Sequence, residues 1–354
     1  TWVISDTVTE VKSSDKFGVF EVGSEQPLML QNTASVSLSR DSTVTLAGEM
    51  KFKVADSDDN DVRFYPFVDV TTPGITEVRG TVSQLTSANS FSATKWDARN
   101  FAGFWYDIDD NKSTESLKIT QFKDNRTIDK DNLIYTTDRA SQKYKAFKEK
   151  NATVEHGLDQ NLNKPSSPAL GGYYALVGWM AQKYIAVNGK NNKLSKLILE
   201  QDVTDKQTLQ IGGVWDLGGG YTLTAQSIDA KATPRQAWLV LSKDGNKLDD
   251  KVVEQGKVYT YSVKSLSGET DVPIFVTYVD SVFSGQTSDM VQLKYTWVIA
   301  TDIQEIKSSD KFGIFEVNSE QPLTLQNTAS VSLSRDSTVT LAGEMKFKVA
   351  DSED

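Results

Sequence analysis

The chain has no cysteine. Disulfide bonds, thiolate metal sites and cysteine nucleophiles are therefore excluded. It has a single histidine, His156. A Ser-His-Asp triad would have to use it, and a metal site built on several histidines cannot form. His156 sits in Glu155-His156-Gly157, ahead of a stretch bearing Pro165 and Pro168, and reads as an exposed loop residue. Long hydrophobic runs are missing as well. The longest, Tyr173–Ala181 (YYALVGWMA), has about nine residues, where a membrane-spanning helix needs about 20. No signal-like segment stands at Thr1, so a leader is expected to have been removed or to lie outside this sequence. Basic charge is scarce: 38 Lys and Arg stand against 48 Asp and Glu, a net charge of −10. A partner whose phosphates must be neutralised is thereby disfavoured, and no nucleic acid is expected.

What is present is the material of folded protein. Apolar residues make up 38% and aromatics 10%, which argues against disorder. A length of 354 residues suggests two or three domains. The most informative feature is a repeat. Thr1–Asp59 and Thr296–Asp354 align without a gap. They differ at positions 5, 6, 7, 8, 9, 11, 19, 23, 29 and 58 of the first copy, and the other 49 positions agree. Gln31–Ser57 and Gln326–Ser352 are identical. The offset is far longer than the roughly 20–50 residues of a solenoid unit. A large module has been duplicated in tandem.

Apolar and polar residues alternate in Ser35–Ser39, Ser42–Leu46 and Met50–Val54, as in strands with one buried face. Further strands are expected at Arg63–Val70, Trp238–Leu241, Val258–Val263, Ile274–Val279 and Val291–Ile299. Pro66 cannot donate to a ladder, so its strand belongs at an edge. Lys243-Asp244-Gly245-Asn246 is a hairpin turn signal. Gly218-Gly219-Gly220 lacks the lysine of a phosphate loop and reads as a turn. Asp138–Lys150 alone is rich in helix formers, with Asp138 as a cap. It is followed by a long loop to Gly172. The fold class is therefore all-β, tandem β-sandwiches with a short helical insertion around 138–172. Trp179 precedes Thr208-Leu209-Gln210 as Trp297 precedes Thr324-Leu325-Gln326, which suggests two related sandwiches per period. On this reading residues 1–77 are the tail of a preceding repeat. Residues 78–252 form one sandwich with the insertion. Residues 253–354 form a second, truncated sandwich, whose 296–354 repeat 1–59. That truncated copy lacks a counterpart of Arg63–Val70 and is expected to expose a sheet edge.

Chemistry-bearing patterns are few. No catalytic residue and no cofactor site is read from the chain, and an enzyme is not expected. Two acidic loops, Asp56–Asp61 and Asp107–Asn111, supply the oxygen ligands that divalent cations such as calcium prefer. Each starts like D-x-D-x-N. Neither has glycine at the sixth position, where Asp61 and Lys112 stand, nor glutamate at the twelfth, where Phe67 and Lys118 stand. They read as solvated turns, with bridging by divalent cations between neighbours kept as an option. Three sequons, at Asn111, Asn125 and Asn151, are candidate N-glycosylation sites. Trp2, Trp179, Trp238 and Trp297 stand in strand-like contexts and are expected to fill cores.

Phe52–Val70 (FKVADSDDNDVRFYPFVDV), Thr76–Gly80, Trp96–Asp110 (WDARNFAGFWYDIDD), Ala237–Gly245 (AWLVLSKDG) and Lys307–Phe315 (KSSDKFGIF) together resemble the S-layer duplication domain of the surface-layer proteins of Methanosarcina-type archaea. The resemblance spans essentially the whole chain. It implies two β-sandwich domains per module, an extracellular cell-surface location, and self-association into a two-dimensional lattice that protects and sieves. It also implies a membrane anchor beyond this sequence, and it brings no catalytic residues. The alternative kept open is a cell-surface adhesin or carbohydrate-binding protein on the same fold.

Overall fold

The computed structural model describes residues 10–57, 62–70, 73–74, 76–83, 94–124, 126–154 and 171–351. The described residues are almost wholly β. Their helical content is the six-residue helix Lys145–Lys150 and the 3-10 turn Val187–Gly189. Every strand pairing is antiparallel. Two compact units are found, Thr1–Glu77 with Tyr106–Lys112, and Val78–Trp105 with Ser113–Asp354.

The first unit carries two three-stranded sheets. One consists of Lys16–Phe17, Phe20–Glu25 and Leu28–Asn32, the other of Thr43–Ala47, Met50–Val54 and Phe64–Val68. Pro66 lies opposite Phe52 on the edge strand of the second sheet, where its missing donor costs no ladder bond. Val22, Leu46, Val54 and Ala55 are its buried apolar residues. Gly18 fixes the approach of the two sheets. Its φ is 60°, the Val19 amide donates to the Leu46 carbonyl at 2.8 Å, and an added Cβ would meet that oxygen at 1.9 Å.

The second unit is built on larger sheets. A six-stranded sheet runs in the order Lys311–Phe312, Phe315–Glu320, Leu323–Asn327, Leu133–Thr137, Glu115–Ile119, Lys95–Asp97. A five-stranded sheet runs Ala140–Lys143, Tyr173–Trp179, Gln182–Ala186, Lys193–Ser195, Gln304–Glu305. A second five-stranded sheet places Asp289–Ile299 between Leu197–Glu200 and Glu269–Ser284, with Val258–Leu266 beyond and Gln207–Gln210 also on Asp289–Ile299. Val214–Gly218, Tyr221–Asp229, Gln236–Lys243 and Asn246–Glu254 form a four-stranded meander.

Two buried cores hold these sheets. One gathers Tyr174, Leu176, Tyr221, Leu223, Phe275 and Trp297. The other gathers Trp96, Leu117, Tyr135, Val177, Trp179, Phe315 and Leu325. Tyr173–Trp179 serves both, since Tyr174 and Leu176 face the first while Ala175, Val177 and Trp179 face the second. That explains the unbroken apolar run: a strand covered on both faces has no polar parity. The cores also exchange the expected Trp and Thr-Leu-Gln partners. Trp297 shares a core with Leu209, and Trp179 with Leu325. Both cores draw residues from either side of position 252.

Several expectations are corrected. The helix expected over Asp138–Lys150 begins only at Lys145, and Ala140–Lys143 is instead a strand paired with Tyr173–Leu176. Pairing with a buried strand outweighs helix propensity there. Tyr144, Ala146 and Val154 are buried. The following loop and His156 lie outside the described residues. Ser35–Ser39 forms no strand, whereas its copy contributes Val331–Ser332 to one. Trp238 faces outward at 39% exposure, on the parity opposite to buried Ala237, Leu239 and Leu241. Its indole donates to Asp250 Oδ2 at 2.7 Å. Trp2 lies outside the described residues. The turn readings at 243–246 and 218–220 hold, with positive φ at Asp244, Gly245, Gly218, Gly219 and Gly220.

Candidate interaction surface

The six-stranded sheet contains a buried acid. Glu115 lies on the same side of its strand as Leu117 and Ile119 and is 2% exposed. Its Oε1 accepts from the Tyr135 hydroxyl at 2.8 Å and from the Ala181 amide at 2.9 Å, and its Oε2 accepts from the Trp105 amide at 2.9 Å. Burial raises its carboxyl above the usual carboxylate range, against the pull of those three donors. Burial and the neighbouring Glu115 likewise raise the Tyr135 hydroxyl. This is a satisfied structural network rather than an acid-base pair, because the group opens onto no site and every donor is spent on it. The in-phase position of Glu115 among core residues was its one sequence signal.

Asp107 Oδ1 accepts from the Asp109 and Asp110 amides, both at 3.1 Å, so its carboxylate is used to shape its own turn. Asp109 Oδ1 accepts from the Asp56 amide at 2.6 Å. Arg63 donates to the carbonyls of Ile108 at 2.9 Å and Asp109 at 2.6 Å, and Arg40 pairs with Asp56. The remaining acids of the first loop, Asp58, Asp59 and Asp61, lie outside the described residues. Among the described residues no group of three or more acids or histidines is placed to hold a metal ion.

Asn111 and Asn151 are both exposed and both adopt φ of 51°. Asn111 accepts the Tyr106 hydroxyl at 3.1 Å. Asn151 ends the helix Lys145–Lys150 in the left-handed conformation. Asn125 lies outside the described residues.

The two copies of the repeat share backbone and local bonds. Phe20–Glu25 pairs with Leu28–Asn32 in the same register, with the same bulge, as Phe315–Glu320 with Leu323–Asn327. Gly18 and Gly313 have φ of 60° and 59°. The ion pairs Lys12–Glu10, Lys16–Glu21 and Arg40–Asp56 recur as Lys307–Glu305, Lys311–Glu316 and Arg335–Asp351. Their surroundings differ. Leu323–Asn327 is covered by Leu133–Thr137, and Leu323 and Leu325 are 0% exposed. Leu28–Asn32 is the edge of its sheet, and Leu28, Met29 and Leu30 are 52%, 60% and 39% exposed. Conversely, Met50–Val54 has Phe64–Val68 beside it, while the copy Met345–Lys348 pairs with Thr338–Ala342 alone. Among the described residues, Met345–Lys348 and Leu28–Asn32 are each the edge strand of their sheet.

An apolar, unpaired sheet edge is a surface for strand addition. Comparison with known proteins gives it a setting. A family model described as S-layer protein matches residues 1–56 and 84–351, nearly the whole chain. The Major S-layer protein of Methanosarcina barkeri is 34% identical over 351 residues, covering 96% of this chain and 48% of that protein. Those of Methanosarcina acetivorans and Methanosarcina mazei are 31% and 33% identical, covering 96% and 99% of this chain. The chain spans about half the length of the curated relatives it matches. It belongs to the S-layer protein family.

Proposed function

We propose that this chain is a structural module of a cell-surface layer, whose work is shape, protection and sieving outside the cell. The observation that carries the reading is a strand-built module repeated in tandem, in a chain of the S-layer family. Repeated modules present repeated edges, and a contact that does not close on itself propagates into an extended array. No catalytic step is assigned to any residue. The buried acid serves folding, and Asp107 spends its carboxylate on its own turn. The net charge of −10 gives the layer a surface that turns anions away.

The same charge opposes assembly unless screened. The Debye length falls from roughly 30 Å at 0.01 M salt to about 8 Å at 0.15 M. Light scattering of the full-length protein is expected to rise with salt over this range, and further with calcium if the acidic loops are bridged. Electron microscopy should then show periodic sheets. A protein that stays monomeric throughout while binding a glycan array tightly is an adhesin instead.

Glycosylation at Asn111, Asn125 and Asn151 is part of the same reading, supported by the exposure of Asn111 and Asn151. Intact-mass measurement of protein from its native cells is expected to exceed the polypeptide mass. Asn111→Gln and Asn151→Gln should each remove one glycan increment. A native mass equal to the bare chain refutes it.

A further inference from the structure

One turn of the second unit, 187–193, draws several distant segments together. The Gly189 carbonyl accepts from Arg139 Nη1 at 2.6 Å and from Gln321 Nε2 at 3.0 Å. Asn191 Nδ2 donates to Asp138 Oδ1 at 2.8 Å, and Asn192 Nδ2 donates to Glu320 Oε2 at 2.9 Å. The Ile306 amide donates to the Asn192 carbonyl at 2.9 Å. A further contact of this turn has a different chemistry. Glu269, at the start of its strand, accepts Lys193 Nζ on Oε1 at 2.5 Å and Asn188 Nδ2 on Oε2 at 3.3 Å. Lys193 Nζ also donates to the Ser267 carbonyl at 2.7 Å. The side chains of Lys193 and Glu269 are 19% and 13% exposed, and Asn188 is 7% exposed. The backbone curls 188 toward 193. Asn188 is left-handed at φ 50°, the Lys190 amide donates to the Val187 carbonyl, and the Lys193 amide donates to the Lys190 carbonyl. Ion pairs elsewhere are wetter: the acids of Lys145–Asp202 and Lys53–Asp41 are 67% and 66% exposed.

An amine, a carboxamide and a carboxylate that touches both are the parts of an aminolysis. We propose that Lys193 and Asn188 join in an intramolecular isopeptide bond, with Glu269 moving the protons. Glu269 takes a proton from Nζ through Oε1. The freed amine attacks Cγ of Asn188, and Glu269 returns a proton to Nδ2 through Oε2. The Nζ–Cγ bond forms, the Cγ–Nδ2 bond breaks, ammonia leaves and Glu269 is regenerated. The step needs no oxidant, metal or external activator. Holding the reactants side by side turns a bimolecular step into a unimolecular one, and a positioned carboxylate acts as base and then acid. Burial raises the Glu269 carboxyl, Lys193 and Asn188 draw it down, and the balance lies below the usual carboxylate range. The resting state is therefore the ion pair, and proton transfer must precede attack. Bond formation is then a slow maturation of the folded chain. In a chain without cysteine it supplies a covalent staple by other chemistry, at the turn where 138–139, 306 and 320–321 meet. It does not depend on a role in a surface layer.

The test is the intact mass of the purified 354-residue chain after prolonged incubation in its folded state. The wild type is expected to weigh one ammonia less than its sequence. Trypsin should fail to cut after Lys193 and should release 184–190 and 191–196 as one branched fragment. Lys193→Arg, which keeps a cation beside Glu269, and Glu269→Gln should each show their full sequence mass, with circular dichroism confirming that both are folded. A folded wild type of full mass overturns the proposal. A succinimide at Asn188-Gly189 also loses ammonia, but it leaves Lys193 cleavable and persists in Lys193→Arg, and that result overturns the proposal as well. A bond that forms equally fast in Glu269→Gln overturns the role given to Glu269.

Discussion

Glu115→Ala is expected to lower the unfolding free energy of the second unit by about 4 kcal/mol. The substitution leaves the Tyr135 hydroxyl and the Trp105 and Ala181 amides without their acceptor in a buried place. An orphaned buried donor costs about 1–3 kcal/mol, and removing one member of a buried charged network costs roughly 3–5. The sign of the pH effect follows from the raised carboxyl. A folded state that holds its proton more tightly gains stability from it below the unfolded value, and loses that gain as pH rises through the folded value. Between about pH 4 and neutrality the wild-type midpoint in urea should therefore fall relative to Glu115→Gln, which cannot ionise. A wild-type midpoint that instead rises relative to Glu115→Gln as pH increases would mean that the carboxylate, not the acid, is the form the fold prefers.

The second large effect is an asymmetry between identical residues. Leu325→Ala is expected to cost about 3 kcal/mol, the usual cost of emptying a packed leucine site. Leu30→Ala, in the same local sequence and the same hairpin register, should cost under about 1 kcal/mol. Leu325 is 0% exposed and Leu30 is 39% exposed. Denaturant unfolding of each variant of the full chain provides the measurement. Equal costs would show that local hairpin geometry, rather than cover by Leu133–Thr137, decides the value of the position.

Much of the strand structure was legible in period-two patterning, and the repeat was plain from identity alone. The edge position of Pro66 and the positive φ at Gly245 followed from single residues. The failures share a physical origin. Ala140–Lys143 is composed like a helix, but its pairing with Tyr173–Leu176 decides its conformation, and pairing is not a local property. Trp238 was expected inside because it is large and apolar, yet one residue of parity puts it outside with Asp250. Glu115 was passed over because a carboxylate at a core position is read as polar noise, when its donors come from three separate parts of the chain. The interleaving of the cores was hidden for the same reason. Leu133 and Asn327 meet across 194 residues of sequence. No window along the chain contains both, and the repeat alone did not reveal that its two copies would be covered differently.

That interleaving decides where tension goes. The strands Lys95–Asp97 and Met345–Lys348, near the two ends of the second unit, both bring residues to the core of Trp96 and Phe315, while the chain between Ala140 and Ile299 builds most of the core around Tyr221 and Trp297 and lends the first core Ala175, Val177, Trp179, Tyr184, Ala186 and Leu194. A pull along a string of such modules passes through the first of these cores and across the ladder between Leu133–Thr137 and Leu323–Asn327. The second core is tied to that path through the shared strands Tyr173–Trp179 and Gln182–Ala186. Forced unfolding is governed by the rate at which the loaded element opens. The mechanical strength of a stretched envelope would then rest on a ladder of four paired residues.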